Sequence, residues 1–451
     1  MHANDRASRP DVRPQIMPAA LPFDHMPGFG SSRAAGGSMN VSTLLIRASS
    51  ALREHGRSTA VRGMSAVCAL AINVAVVAGL SLADVGYYYL FATVAYFGNA
   101  AVFVGIGLQL QRKSSSLAST GHLNKSATLA YIGRGWLCGV AIVAVSGGSY
   151  FAATLPDAWW STALSCAVLS GASYLSATGR DLLTLYRKQE LAASANLLEQ
   201  MLRLGLTLLA LSAFPISPTG LILANAMGAS MAGLCGIGYV LKSARGSQQK
   251  LGIRPAELYR IVSSVGCSSL LNWGQLQAYR PILILLGVAP ETIGIASLLT
   301  TFGSTGSLPV FTTLSQKYIP KLYSGLDVLK PWLKALLMSA GALAVLVLPA
   351  VAAFLFATNR MSLLPYMILA SMGVLVEGGN ALIGALVHQR NHAGRSIWPI
   401  AGATSLGFLV IVFSWQITVP PHLIPYLIGS SLVASQVVTF SIAYLRQRPT
   451  Q

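Results

Sequence analysis

The residues best equipped for chemistry lie in an apolar stretch at 260–286. It holds Asn272, Trp273, Gln275, Gln277, Tyr279 and Arg280. A helix turns once in about 3.6 residues, so Trp273, Gln277 and Arg280 share one face, and Asn272, Gln275 and Tyr279 share the adjoining one. The planar fork of the Arg280 guanidinium can pair two oxygens of a diphosphate or an acidic sugar. Gln275 and Gln277 offer amides to ligand hydroxyls. Pro281 withholds a hydrogen bond from the carbonyl of Gln277 and predicts a kink there. A blander role also fits Arg280: reaching back to lipid headgroups.

Two other apolar stretches hold ionisable groups. In 193–213, Glu199 and Arg203 stand four apart with the acid first, the favourable order for a pair on one helix, and Asn196 lies nearby. Either the pair neutralises itself or Arg203 is offered to a ligand. In 361–387, Glu377 is flanked by Gly378, Gly379 and Asn380 and is the acid deep in the C-terminal half. It suits proton or sodium coupling, neutralisation of Arg280, or a close helix contact at the glycines. Asn73 and Asn99 fall in the middle of the first two stretches, where hydrogen bonding between helices comes first and lining a cavity second.

The elements that must carry these groups follow from composition. Of 451 residues, 53% are hydrophobic and 10% charged, against about 25% charged in soluble domains. The mean hydropathy is +0.60. Twelve stretches reach the roughly 20 residues that cross a bilayer as a helix: 59–80, 87–109, 128–151, 160–179, 193–213, 218–241, 260–286, 292–314, 332–357, 361–387, 396–416 and 423–445. With the N-terminus in the cytoplasm, 28 of the 31 Lys and Arg fall on the inner side. A missed helix would invert every later loop, so the lopsidedness supports count and orientation together. It also disposes of a nucleic-acid partner as the reason for the +18 charge, which is dispersed over many short loops. Trp159, Trp160, Trp332, Trp398 and Tyr87–Tyr89 sit near stretch ends, as interfacial aromatics do. The five cysteines fall in five separate apolar stretches and read as small buried hydrophobes, with no metal site. Residues 1–57 read as a disordered tail with an amphipathic segment at 39–57, and Met39 offers an alternative start.

Leu82-Ala-Asp84-Val-Gly86 before the second stretch is echoed by Ala289-Pro-Glu291-Thr-Ile-Gly294 before the eighth. An acid at a helix start suits the positive end of its dipole, and a recurrence six spans later points to two related halves.

These motifs resemble the polysaccharide-exporter and oligosaccharide-flippase branch of the multidrug/oligosaccharidyl-lipid/polysaccharide superfamily. Leu82–Tyr87 resembles the family's first outer turn. Val104–Arg112 resembles the end of its second helix, Gln277–Gly287 its seventh-helix pattern, and Gln316–Pro320 the end of its eighth. Tyr279 departs from the pattern, standing where an acid often precedes the arginine. The resemblance implies an all-α polytopic membrane protein with two six-helix lobes around a central cavity, 58–242 and 260–446, joined by a cytoplasmic linker at 243–259. It implies translocation of polyprenyl-diphosphate-linked oligosaccharide across the bacterial inner membrane, with both termini cytoplasmic. On that reading Arg280, Gln277, Gln275, Asn272, Trp273, Arg203, Asn73 and Asn99 bind substrate and Glu377 couples an ion. Polysaccharide polymerase and glycosyltransferases are its partners, alongside membrane lipids, with no cofactor and no nucleic acid. Two other functions compete. A cation-coupled multidrug exporter of the same superfamily would need a carboxylate deep in the N-terminal lobe. A membrane glycosyltransferase or polymerase would need catalytic residues in larger outer loops; neither a paired-Asp motif nor a nucleotide-binding loop is present.

Overall fold

A computed structural model describes residues 41–119, 121–186, 188–213, 217–247, 255–323, 325–393, 395–396, 398–415 and 419–446. The tail at 1–40, the alternative start at Met39, and Lys250 and Arg254 of the linker lie outside the described residues, as do the side chains of Gln316 and Pro320.

The structure is helical throughout, apart from one two-residue parallel pairing. The helices are α1 (Val41–Gly79), α2 (Leu82–Gly98), α3 (Val104–Ser119), α4 (Lys125–Thr154), α5 (Trp159–Leu185), α6 (Gln189–Ala213) and α7 (Pro218–Ser243), then α8 (Pro255–Gln277), α9 (Tyr279–Leu285), α10 (Pro290–Tyr323), α11 (Leu329–Ala357), α12 (Ile368–His392), α13 (Trp398–Ser414) and α14 (Ile424–Leu445). A π-helical segment, Asn99–Phe103, joins α2 to α3 in one continuous rod. Ala278 separates α8 from α9, three residues before Pro281, so the expected kink is a break in the helix.

Among the described residues, the fourteen helices therefore form twelve rods, each overlapping one expected span. Eight are long and apolar enough to cross a membrane on composition alone. The other four are α5, α6, α8–α9 and α13. Helices α5 and α6 hold a charged cluster, α8–α9 holds the polar run, and α13 has 17 residues. The protein is a multi-pass membrane protein of all-α architecture. Helices α1–α7 pack mainly on one another, and α9–α14 do the same, while α8 packs both on α13 and, across the halves, on α3 and the π-helical segment.

The echoed motifs begin α2 and α10, and these two helices cross where they start. Asp84 and Glu291 lie in the respective first turns, and Ser81 caps α2 by accepting a hydrogen bond from the Asp84 amide at 3.2 Å. A Cβ on Gly86 would meet the backbone of Pro290 and Gly294, and a Cβ on Gly294 would meet the backbone of Leu82 and Gly86. Leu82 pairs with Pro290 and Gly86 with Gly294 at the same offset of 208 residues. Such a reciprocal contact is what a two-fold axis between equivalent elements produces.

Burial follows the same geometry. At the end where α2 and α10 begin, one apolar cluster runs through both halves, from Ile72, Leu90 and Phe151 to Leu298, Phe302 and Phe354. At the opposite, basic end each half has its own cluster, around Phe103 and Tyr174 in one and around Phe311 and Trp332 in the other. The halves thus share one core at the first end and keep separate cores at the other, where they still meet through α8, which packs on α3 and on the π-helical segment with Gly266 against the backbone of Ala101.

At the basic end the pairing His122–Leu123 with Arg245–Gly246 ties the α3–α4 connection to the chain after α7. Ser247 N donates to Leu123 O at 3.0 Å, and the Tyr186 hydroxyl donates to His122 O at 2.6 Å. The first residues of the expected linker are therefore held on the N-terminal half.

Several smaller expectations need correction. Trp332 is fully buried and Tyr88 and Tyr89 are buried, so these three are not interfacial. The cause at the tyrosines is that the second rod starts at Leu82, five residues earlier than hydropathy indicates. Among the cysteines, Cys166 is buried, whereas Cys138, Cys235 and Cys267 are exposed. Arg180 is part of α5 rather than of a loop. Arg360 is not a bare loop cation: its Nη2 donates to the last carbonyls of α1, Leu80 O at 2.8 Å and Val77 O at 3.2 Å, the negative end of that helix.

Candidate functional site

A cavity of about 470 Å³ lies between the two halves. Its N-terminal wall is built by α1, α2, α6 and α7, with Asn73, Tyr88, Tyr89, Tyr96, Gln200, Arg203 and Asn225. Its C-terminal wall is built by α8–α9, α10, α12 and α14, with Gln277, Tyr279, Arg280, Thr300, Thr301, Ser304, Thr305 and Glu377.

Arg280 is the key group of the C-terminal wall. Tyr279 and Arg280, the first residues of α9, both line the cavity. The side chain is 9% exposed. Its Nε donates to Ser297 Oγ at 2.9 Å and to the Tyr279 hydroxyl at 3.1 Å, and its Nη1 donates to Thr93 Oγ1 of α2 at 2.7 Å. The guanidinium also lies over two rings, 5.0 Å from the centroid of Tyr279 and 5.5 Å from that of Tyr89. All of these partners are neutral. The tyrosine that stands where an acid is common thus supplies a hydroxyl and a π face but no countercharge. A buried cation without a carboxylate is costly unless something anionic joins it.

Arg203 faces it from the N-terminal wall and is handled differently. Its Nη2 lies 2.5 Å from Glu199 Oε1. Glu199, 3% exposed, sits behind Arg203 and is shared with Arg180 of α5 and with the Ser176 hydroxyl. Arg180 also donates to Asn196 Oδ1 at 2.9 Å, and Asn196 Nδ2 donates to Ser65 Oγ of α1 at 2.6 Å. One carboxylate between two guanidiniums leaves the cluster with a net positive charge. The self-neutralising pair is present, but it does not cancel the cation at the cavity wall. Glu199→Gln removes the charge holding both cations, so we expect a loss of about 3 kcal/mol, read as a lower thermal midpoint in detergent. An unchanged midpoint would show that Glu199 is not needed to bury Arg203.

The expected site residues divide as follows. Gln277, Arg280, Arg203, Asn73 and Glu377 line the cavity. Asn73 also accepts a hydrogen bond from the Tyr89 hydroxyl at 3.2 Å, and the buried Oε1 of Gln277 has no partner. Glu377 forms no hydrogen bond or ion pair with any described residue. The other four do not line the cavity. Gln275 points into the C-terminal half, where its Nε2 donates to Thr439 Oγ1 of α14 at 2.9 Å. Trp273 packs edge-on against Phe97 and donates to Thr93 O at 3.2 Å. Asn272 is exposed, and Asn99 begins the π-helical segment. The single stripe expected at 272–280 therefore divides between the cavity, the contact with α2, the interior of the C-terminal half and the exposed surface.

Sequence reasoning missed the hydroxyl row of α10 as a wall, and Arg180 as the second partner of Glu199. The first had a signal: Thr300, Thr301, Ser304 and Thr305 recur at helical spacing in an otherwise apolar stretch.

No family model matches the sequence, and no curated protein does. Solved structures do match the fold. Lipid II flippase MurJ in an inward closed conformation superposes with a TM-score of 0.59 at 14% identity, over 86% of this chain and 87% of that one. An inward-facing multidrug resistance MATE family transporter of the MOP superfamily gives 0.58 at 15% identity, over 87% and 98%. The eukaryotic MATE transporter AtDTX14 gives 0.55 at 13% identity, over 88% and 94%. The chain has the fold of the MOP superfamily transporters. A multidrug resistance transporter and a lipid II flippase both have this fold, so the function has to be argued from the site.

Proposed function

We propose that the protein translocates a polyprenyl-diphosphate-linked oligosaccharide across the bacterial inner membrane by alternating access between its two lobes, in the building of a surface or exported polysaccharide. Arg280 carries this reading. It is a buried cavity cation held, among the described residues, by neutral groups alone, a site that suits an anion. Arg203 adds a second positive group on the facing wall, and Gln277 with the α10 hydroxyls offers partners for sugar hydroxyls. The cavity volume is in the range of small-ligand sites, about 300–1,000 Å³, so it takes a headgroup while the prenyl chain stays in lipid. One structural neighbour, the lipid II flippase, is named for a lipid-linked substrate. The basic end is the cytoplasmic side on this reading, which places both termini there, and glycosyltransferases and a polymerase stand before and after the step.

Deleting the gene should leave polyprenyl-linked repeat units accessible only from the cytoplasmic side of membrane vesicles, with surface glycan lost. Normal surface glycan in the deletion strain would overturn the assignment.

Glu377 supports a second reading, a cation-coupled multidrug exporter, because it faces the cavity without a cation partner among the described residues. The N-terminal wall speaks against it: among the described residues its charged group is Arg203, and the carboxylate behind it, Glu199, is engaged by two arginines. Within the flippase reading, Glu377 is the group we assign to ion coupling.

A further inference from the structure

Among the described residues, four side chains form hydrogen bonds between the halves. Tyr150 OH donates to Pro281 O at 3.1 Å, Arg360 to Val77 O and Leu80 O, Trp273 to Thr93 O, and Arg280 to Thr93 Oγ1. The Tyr150 and Arg360 bonds lie at the end where the halves share one core. Only one of the four side chains, Arg280, lines the cavity. Its partner Thr93 is fully buried and is gripped twice by α8–α9, at the hydroxyl by Arg280 and at the carbonyl by Trp273. The Thr93 hydroxyl has a single proton, which it gives to Tyr89 O at 2.8 Å, so toward Arg280 it acts only as an acceptor. Six residues on, α2 passes into its π-helical segment, a feature that concentrates where helices bend and act.

We infer that the Arg280–Thr93 hydrogen bond is a latch that an anionic headgroup releases, so that loading the cavity frees the two lobes to part at the α2/α10 end. The inference rests on the anion reading of Arg280 given above and adds how binding there is coupled to movement. A diphosphate oxygen is a stronger acceptor for a guanidinium N–H than a threonine hydroxyl, because both partners are then ionised. An anion that draws Nη1 away from Thr93 removes the one inter-lobe bond made from inside the cavity. A ligand shifts a conformational equilibrium only by binding one state better. Here the difference is concrete: in the latched state Nη1 is already engaged, and in the parted state it is free for the ligand. Thr93 is a positioning residue on this account and touches no substrate.

The test uses the full-length protein in lipid nanodiscs, in a cysteine-free background with spin labels at Asp157→Cys and Ala357→Cys, one exposed position on each lobe at the α2/α10 end. Distances between labels are measured by pulsed electron resonance, alone, with farnesyl diphosphate and with farnesol. We expect farnesyl diphosphate, and not farnesol, to raise the long-distance population of the unsubstituted latch. Thr93→Val keeps the shape and removes the acceptor. It should raise the long-distance population about tenfold without ligand, the worth of one charge-assisted hydrogen bond, and should bind farnesyl diphosphate several-fold more tightly. Thr93→Ser should behave as the unsubstituted protein. If Thr93→Val binds the diphosphate but keeps the closed distance distribution, the latch is wrong and the anion site stands. If Thr93→Val parts the lobes but neither protein binds farnesyl diphosphate, the anion reading fails, and with it the release of the latch by ligand.

Discussion

Arg280→Ala will abolish complementation of a deletion strain, Arg280→Lys will retain part of it, and the Ala variant will melt at the same temperature as the unsubstituted protein or higher. The three outcomes belong together. Arg280 is buried and bonded only to neutral oxygens and two π faces. Its bonds to Thr93 and Ser297 return part of the cost of desolvating the charge, but no carboxylate returns the rest. Deleting the side chain leaves Tyr279 and Ser297 still joined to each other at 3.0 Å, so no new buried polar group is orphaned there. A residue kept for stability would give the reverse, a lower melting temperature with transport intact. Lysine restores the charge but not the bidentate geometry. Each hydrogen bond from a charged group is worth about 1.5–3 kcal/mol, so losing a bidentate contact costs at least a hundredfold in transport rate. Full complementation by the Ala variant would remove the anion site, whatever its melting temperature. Surface-glycan staining and a thermal-shift assay on the same membranes measure both quantities.

What could be read from the sequence, and what could not, follows from the physics of each signal. A charge or amide inside an apolar stretch is conspicuous because lipid does not tolerate it, and Arg280, Gln277, Arg203, Asn73 and Glu377 all reached the cavity wall. Helical periodicity gives the angle between side chains but not the direction of the cleft, and it assumes an unbroken helix. Gln275 and Tyr279 share one helical face, yet Tyr279 lines the cavity while Gln275 is held inside the C-terminal half by Thr439. Asn272 and Asn99 carried the same local signal as Asn73, and only packing tells them apart. Hydropathy placed span ends several residues wrong, so Tyr88 and Tyr89 looked interfacial and Arg180 looked like a loop residue. The repeat at Asp84 and Glu291 was faint as a sequence match. Its meaning came from position: both copies lie where the halves touch, which no single-chain pattern states.

That contact yields a second large effect, because it can be set against a similar one inside a lobe. Gly86→Leu places side-chain atoms where the backbone of Pro290 stands, and backbone cannot swing aside as a side chain can. The contact lies between lobes, so each lobe keeps its own packing while the α2/α10 end can no longer close. We expect Gly86→Leu to express and melt near the unsubstituted protein and to lose transport completely. Gly303 of α10 and Gly373 of α12 form an equally close contact within the C-terminal lobe. A Cβ on Gly303 would meet the backbone of Ala370, and one on Gly373 the backbone of Thr300. Gly303→Leu forces apart two helices whose contact is the base of that lobe and the support of the hydroxyl row on α10. Overpacking of this kind costs about 1–3 kcal/mol or more, and here it should show as loss of folded protein on size-exclusion chromatography. The two variants carry the same chemical change and differ only in whether the crowded contact lies between lobes or within one. Normal transport by Gly86→Leu would mean that the lobes need not close at this end. A well-folded, stable Gly303→Leu would mean that helix separation there is tolerated. If both variants fail to fold, the α2/α10 contact is as necessary to the folded bundle as the contact within the C-terminal lobe, and the expected difference between them is wrong.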